Sequence, residues 1–319
     1  MPDISIILCT HNPRHDFLAK TLEALRQQSL PKRTWELLII DNASSNTVLS
    51  SVDLSWHPSA KKISEPKLGL TPARLCGIAH ARAPLLVFVD DDNILAADYL
   101  EASLQIAKNY PYLGAFGGST FPEFEIKPET RHQPYLKLLA IREINRPSWC
   151  LLPGLQSLAS CPFGTGLCLR ESVAREYSRL TVESKLRTSL DRCGAQLSSF
   201  GDVDMALTAC DCNMGIGLFR ELKLTHLIPK SRLQDAYLLQ LQEAMSYSHH
   251  LLRYIREGYR PSLPTQDRSD RLLRIYKRIR AKLSGSLDAD SLFQEKMSEA
   301  LLAGIVRAMH DLSASPNNV

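Results

Sequence analysis

The run Leu85-Leu86-Val87-Phe88-Val89-Asp90-Asp91-Asp92-Asn93 passes across one peptide bond from five apolar residues to three consecutive acids and an amide. A short, unbroken apolar run rich in β-branched residues is what a strand covered on both faces requires. Two earlier runs have the same character, Ile4 to Leu8 and Leu37 to Ile40, and a weaker strand is expected near Lys62 to Ser64. Between them lie stretches of helical period. Phe17 to Gln28 carries Leu18, Leu22 and Leu25, and Pro72 to Ala83 opens with Thr71 as the expected cap and Pro72 at the first helical position. Strand alternating with helix predicts an α/β fold, a doubly wound and mostly parallel sheet with helices on both faces.

In an open parallel sheet, ligands bind beyond the carboxyl ends of the strands. Just past the three apolar runs stand Cys9, Thr10, His11 and Asn12, then Asp41 and Asn42, then the three aspartates 90 to 92. Adjacent carboxylates repel one another and raise their own pKa values unless a cation offsets the charge. A hard divalent ion, Mn²⁺ or Mg²⁺, shared with phosphate oxygens of a substrate, is the natural partner. An acidic surface turn is the plainer alternative, and the buried strand directly ahead of the triplet argues against it.

Beyond residue 110 the pattern loosens into YLGAFGGSTFPEFEIKPE (112 to 129), and a loop-rich region runs on to Cys161. Gly and Pro punctuation of this kind suggests structure that covers a substrate. Order resumes with GLCLR (166 to 170), a helix from Glu171, a helix after Phe200 and a strand around Gly217 to Leu222. After Pro229 the chain reads as helix: Leu238, Leu241, Met245, Leu252 and Ile255 recur at helical spacing, as do Leu272, Tyr276, Ile279 and Leu283, and a last helix spans Ser291 to Leu312. The expected division is a catalytic domain over 1–229, with 1–110 binding the donor and 111–229 facing the acceptor, followed by a C-terminal helical region, 230–319.

With 44% hydrophobic and 23% charged residues the composition is that of a globular protein. No stretch approaches the roughly 18 unbroken apolar residues of a spanning helix, and the start lacks the signature of a secretory signal, so a cytoplasmic location is expected. Eight scattered cysteines without a C-x-x-C pair read as reduced core thiols. The net charge of +4 is unevenly placed, since residues 253 to 282 hold ten Lys or Arg against three acids. That segment suggests peripheral contact with an anionic membrane, with a solvated helix face as the alternative. Nucleic acid is not the expected partner.

The runs ISIILCTHNP (4 to 13), LLIIDNASSN (37 to 46) and GLTPARLCGIAHARAPLLVFVDDDN (69 to 93) together resemble the nucleotide-sugar-binding half of family 2 glycosyltransferases with the GT-A fold. No G-x-G-x-x-G follows the first strand, which argues against a dehydrogenase. The resemblance implies that Thr10 and Asn12 line the nucleoside pocket and that Asp41 bonds the base, uracil by family habit. It implies that Arg74 faces the diphosphate, with Leu75 standing where Asn is usual, that Asp90 and Asp91 contact nucleoside and sugar, and that Asp92 holds the metal. His226 in LTHLIP stands where several relatives supply a second metal ligand. CPFGTGLCLR (161 to 170) is similar to the acceptor-side segment, with Gly164, Thr165 and Gly166 beneath the donor sugar, although a tight turn explains those glycines nearly as well. Trp149, in the covering region, would stack on a sugar or simply pack.

FGDVDM (200 to 205) resembles the Glu-Asp segment that supplies the catalytic base, but Gly201 occupies the place of Glu. The aligned base is Asp202, with Asp204 as the fallback, and a change at Asp204 is expected to be mild. The implied reaction moves a sugar from a nucleoside diphosphate sugar to a hydroxyl of a glycan or lipid-linked acceptor, by single inverting displacement. Two other readings stay open. A nucleotidyltransferase would share the metal and carboxylates but usually begins with a Gly-rich phosphate loop, and a non-catalytic protein would use the basic helices for binding.

Overall fold

The structure is a computed structural model and describes residues 1–45, 47–263 and 289–314. Four parallel strands come first: β1 (Ile4–Thr10), β2 (Trp35–Asn42), β3 (Ala60–Glu65) and β4 (Leu85–Asp90), side by side in the order β3-β2-β1-β4. Every residue of β1 is buried, and its neighbours alternate between two cores. Ile6 and Leu8 face one side with Leu18, Leu22 and Leu25 of α1 (His15–Arg26), whereas Ile7 and Cys9 face the other with Ala73 and Ile78 of α2 (Leu70–His80). Two buried faces explain why β1, β2 and β4 are apolar throughout rather than alternating. The doubly wound α/β architecture read from the sequence is therefore the architecture of the chain.

The sheet continues past β4 through β8 (Cys168–Arg170), antiparallel to both of its neighbours, to β6 (Leu113–Phe124) and β9 (Gly215–Ile228), which run parallel to each other. Two short strands pair antiparallel with β9, namely β5 (Asn93–Leu95) at its end and β7 (Ser148–Cys150) near its start. Residues 113 to 124, expected to cover a substrate, are thus a central strand. Their glycines serve close approach: a Cβ on Gly118 would lie 2.0 Å from the carbonyl oxygen of Leu222, so a larger residue cannot keep this register against β9.

Helices α3 (Tyr99–Asn109), α4 (Glu171–Val182), α5 (Lys185–Thr188) and α6 (Gly201–Asp211) complete the layers. Thr71 does not cap α2. Gly69 holds the N-cap position at φ 135°, and the Thr71 hydroxyl bonds a carboxylate instead. After β9 come α7 (Asp235–Glu257) and α8 (Ala289–Ala314), which pack together where Gly304 lets the backbones meet: a Cβ there would stand 2.4 Å from the carbonyl oxygen of Glu243. The helical period read over residues 272 to 283 lies outside the described residues.

Candidate active site

A cleft of about 490 Å³ opens at the carboxyl ends of β1, β2 and β4, and α6 and α7 close its far side. That volume suits a small organic ligand. Its floor is the acidic triplet. Asp90 ends β4, and Asp91 and Asp92 turn with it into the cavity. Burial and the neighbouring Asp92 push both other carboxyls up, Asp91 to about 7 against the opposing bond from the Thr10 hydroxyl. Asp92 goes the other way. Burial would raise it, but the Arg232 guanidinium holds its carboxyl well below the usual carboxylate range.

Asp92, Arg232 and His226 form one cluster. Arg232 Nη2 lies 3.0 Å from Asp92 Oδ2, and His226 Nε2 lies 3.4 Å from the same oxygen. Arg232 Nη1 stands 2.9 Å from His226 Nε2. A guanidinium can only donate, so Nε2 is the acceptor and Nδ1 donates to the Leu139 carbonyl at 3.1 Å. His226 is delivered by the register of β5 against β9, where it pairs with Asn93, next to Asp92 in the chain.

On the opposite wall stands Arg74, from α2, 4% exposed. Its Nη1 lies 3.0 Å from both oxygens of Asp191. Burial alone would lower the Arg74 pKa, but Asp191, Asp202 and Asp90 together raise it, so the guanidinium stays charged. Asp202 sits in the first turn of α6. Its Oδ2 accepts from the Gly164 N–H at 2.6 Å and its Oδ1 from the Val203 N–H at 2.9 Å, and the carboxylate lines the cleft.

Of the residues singled out in the sequence, Thr10, Arg74, Asp90, Asp91, Asp92, Gly164, Thr165, Asp202 and His226 all border this cavity. Gly166 stands just behind it at φ 71°, its carbonyl accepting from the Tyr99 hydroxyl at 2.6 Å. Asn12 and Asp41 stand next to the lining residues His11 and Asn42 but do not line the cavity themselves: the Ser45 N–H bonds Asn12 Oδ1 at 2.7 Å and the Ser44 N–H bonds Asp41 Oδ1 at 3.2 Å. Trp149 is not brought to the cleft. It lies half exposed on β7 against Tyr110, ring centroids 5.5 Å apart, and pairs with Gly217, nine residues along β9 from His226. The fallback Asp204 is also elsewhere. It is fully buried between Arg187 and Arg256, 2.6 and 2.7 Å away, so a change there acts on the core and not on the cleft.

Two cleft residues escaped the sequence reading, Asp191 and Arg232. Both lie in connecting segments without a motif, Arg232 in the short helical turn Lys230–Leu233 that follows Pro229.

A sequence model of the family described as "Glycosyl transferase family 2" matches residues 5–166. Over 113 residues the chain is 28% identical to polypeptide N-acetylgalactosaminyltransferase 3 of Drosophila melanogaster, a match that takes in 34% of this chain and 17% of that protein, well under two thirds of its length. Among solved structures, S. aureus TarS 1-349, also solved in complex with UDP-GlcNAc, superposes with a TM-score of 0.52 at 10% identity, over 99% of this chain and 92% of that one. The mannosyltransferase PcManGT from Pyrobaculum calidifontis, in complex with GDP-Man and Mn²⁺, superposes with a TM-score of 0.55 at 15% identity, over 97% and 88%. At these identities the structural likeness concerns the fold.

Proposed function

The chain belongs to glycosyl transferase family 2 and has its GT-A fold, and from that premise we propose that it transfers a sugar from a UDP-linked donor to an acceptor hydroxyl, with a divalent cation and inversion at the anomeric carbon. One observation carries this reading: the acidic floor Asp90 to Asp92, the buried Arg74 and the carboxylate of Asp202 face one cavity from three different elements. The nucleoside lies along the β1 and β2 ends, near Thr10, Asn12 and Asp41. Asp90 and Asp91 face nucleoside and sugar, and Arg74 faces the diphosphate.

The donor set suits a divalent ion. His226 Nε2 is in acceptor form, oriented from behind by its bond to the Leu139 carbonyl, and a carboxylate oxygen of Asp92 lies close by. One imidazole and one carboxylate fit Mn²⁺ or Mg²⁺, completed by diphosphate oxygens. Such an ion, when bound, offsets charge on a departing diphosphate.

Asp202 is the base. The Gly164 N–H fixes its Oδ2 and the Val203 N–H its Oδ1, so the carboxylate faces the cavity in one orientation. A carboxylate is a far weaker base than an alkoxide, so it takes the acceptor's proton only as the C–O bond forms. Gly164 and Thr165 lie beneath the sugar, with Gly166 behind them.

Residues 1–229 form the catalytic body, and the following helical region contributes to it, since Tyr237 and Leu241 of α7 line the cleft. The basic segment 253–282 remains our candidate for contact with an anionic membrane bearing a lipid-linked acceptor. Of its cations, Arg256 is engaged with Asp204 and Asp211, Arg253 lies over the Tyr259 ring, and Arg260 bonds the Leu312 carbonyl. The reading therefore rests on the seven from Arg268 to Lys282, which lie outside the described residues. No described helix is long and apolar enough to cross a membrane.

The test is release of nucleoside diphosphate from UDP-GlcNAc, UDP-glucose, UDP-galactose and GDP-mannose, with Mn²⁺ and with chelator. Turnover of a UDP sugar that stops in chelator is the expected result, and no binding or turnover of any nucleotide sugar removes the reading.

A further inference from the structure

Asp191 has a place in the cleft that no motif announces. It is 5% exposed, and besides its two contacts with Arg74 Nη1 it accepts from the Thr71 hydroxyl at 2.9 Å. Its carboxylate stands against the first residue of α6. A Cβ built on Gly201 would lie 2.3 Å from its Cγ and 2.4 Å from each of its oxygens. A side chain at position 201 and the carboxylate of Asp191 therefore exclude one another. The glycine that interrupts the expected Glu-Asp pair leaves a space, and an acid ten residues earlier fills it.

The other edge of the Arg74 guanidinium is equally confined. A Cβ on Gly164 would lie 2.7 Å from Arg74 Nη2 and 3.0 Å from Asp202 Oδ2, so that nitrogen points to the corner where Gly164 and Asp202 meet the cavity. A buried guanidinium with two carboxylates in reach pairs with whichever is better placed. Asp191 takes Nη1 with both oxygens, and no hydrogen bond joins Arg74 to Asp202.

We propose that Asp191 is the positioning residue of the donor diphosphate: lodged in the space freed by Gly201, it holds one edge of Arg74, turns the other edge to the phosphate oxygens and keeps the guanidinium off Asp202. This rests on the reading that the cleft takes a nucleoside diphosphate sugar. Asp191 touches neither donor nor acceptor and acts through Arg74.

Calorimetry of the full chain with Mn²⁺, using UDP and GDP beside uridine and guanosine, separates diphosphate from nucleoside contacts. Asp191→Asn is expected to weaken the preferred diphosphate at least about tenfold, the scale of one lost charge-assisted bond, with the matching nucleoside changed less than about twofold. Gly201→Ala, whose methyl displaces the carboxylate, gives the same selective loss. Asp191→Gly combined with Gly201→Asp, which returns a carboxylate from the opposite side of that space, recovers most of it. A purely structural role would move neither the diphosphate-to-nucleoside ratio nor the rescue. Thr71→Val removes only the hydroxyl's bond to Asp191, and it gives a smaller loss of the same kind if Asp191→Asn does not fold. Unchanged diphosphate affinity in Asp191→Asn and Thr71→Val, or an equal loss for nucleoside and diphosphate, overturns the proposal while the functional reading stands. Wild-type protein that binds neither diphosphate overturns both.

Discussion

Arg232 and His226 meet head on: a guanidinium nitrogen stands 2.9 Å from the imidazole Nε2, and the same guanidinium reaches Asp92 at 3.0 Å. A cation thus already lies against the two groups that would hold the metal. Arg232 is the natural competitor for that position, and it must give way or be shared when a metal arrives with its diphosphate.

Arg232→Gln is therefore expected to bind Mn²⁺ more tightly in the absence of nucleotide, by roughly tenfold or more, because a like charge a few ångströms away costs on the order of kcal/mol even at an effective dielectric of about 20. Titration of free Mn²⁺ by electron paramagnetic resonance reads this directly. His226→Ala in the same background should cancel the gain. Weaker Mn²⁺ binding by Arg232→Gln would show that the guanidinium supports the site rather than competing for it.

Asp202→Asn should lose turnover by about 10² to 10⁴-fold, the usual range of general base catalysis. Donor affinity should be kept, since the amide still offers one oxygen to the Gly164 or Val203 N–H that now hold the carboxylate. Steady-state kinetics with a separate donor titration decides the matter. A variant of near wild-type rate would mean that Asp202 only organises the turn.

Asp204→Asn should behave in the opposite way. Its carboxylate sits between two arginines, Arg256 itself 3% exposed, so neutralising it strands buried positive charge. Removing one partner of such a cluster costs on the order of 3 kcal/mol, read as a lower urea midpoint. Activity per folded molecule should hold, and a stable but inactive protein would return Asp204 to candidacy as the base.

Trp149→Ala should leave donor affinity unchanged. Gly217 and His226 of β9 pair with Phe116 and Pro122 of β6, and six positions at ~3.3 Å per strand residue put Trp149 on the order of 20 Å from His226. Loss of donor binding in that variant, with an unaltered melting temperature, would contradict the separation.

Much of the frame was legible because it obeys local rules. The runs at Ile4, Leu37 and Leu85 are apolar on both faces because helices cover both, and the acids after Val89 stand at a strand end for the reason strand ends are polar. The strand over 113 to 124 does not read as one in the sequence because its glycines answer contacts with distant residues, Gly118 with Leu222 and Gly114 with Ala209, and not a turn. Asp191 and Arg232 were invisible for a similar reason. Each gains its meaning from a partner distant in sequence, Arg74 in one case and Asp92 in the other, and no spacing rule links them. The choice between Asp202 and Asp204 needed the helix itself, since two positions apart on one turn is the difference between cleft and core.

The clasp of Arg256 on Asp204 also bears on the order in which a nascent chain gains activity. Residue 204 leaves the ribosome 52 residues ahead of its partner. Until Arg256 follows, the interior acid has Arg187 alone, and Tyr237 and Leu241 have not reached the wall of the cleft. The sheet and its acidic floor can form during synthesis, as N-terminal units generally do, but the helix bearing Asp202 is secured last. A ribosome stalled near residue 230 should therefore hold a chain with an assembled floor and an unfinished wall. Ribosome-bound chains of increasing length, probed by limited proteolysis, should acquire protection of the 201–211 helix only once residue 256 has emerged.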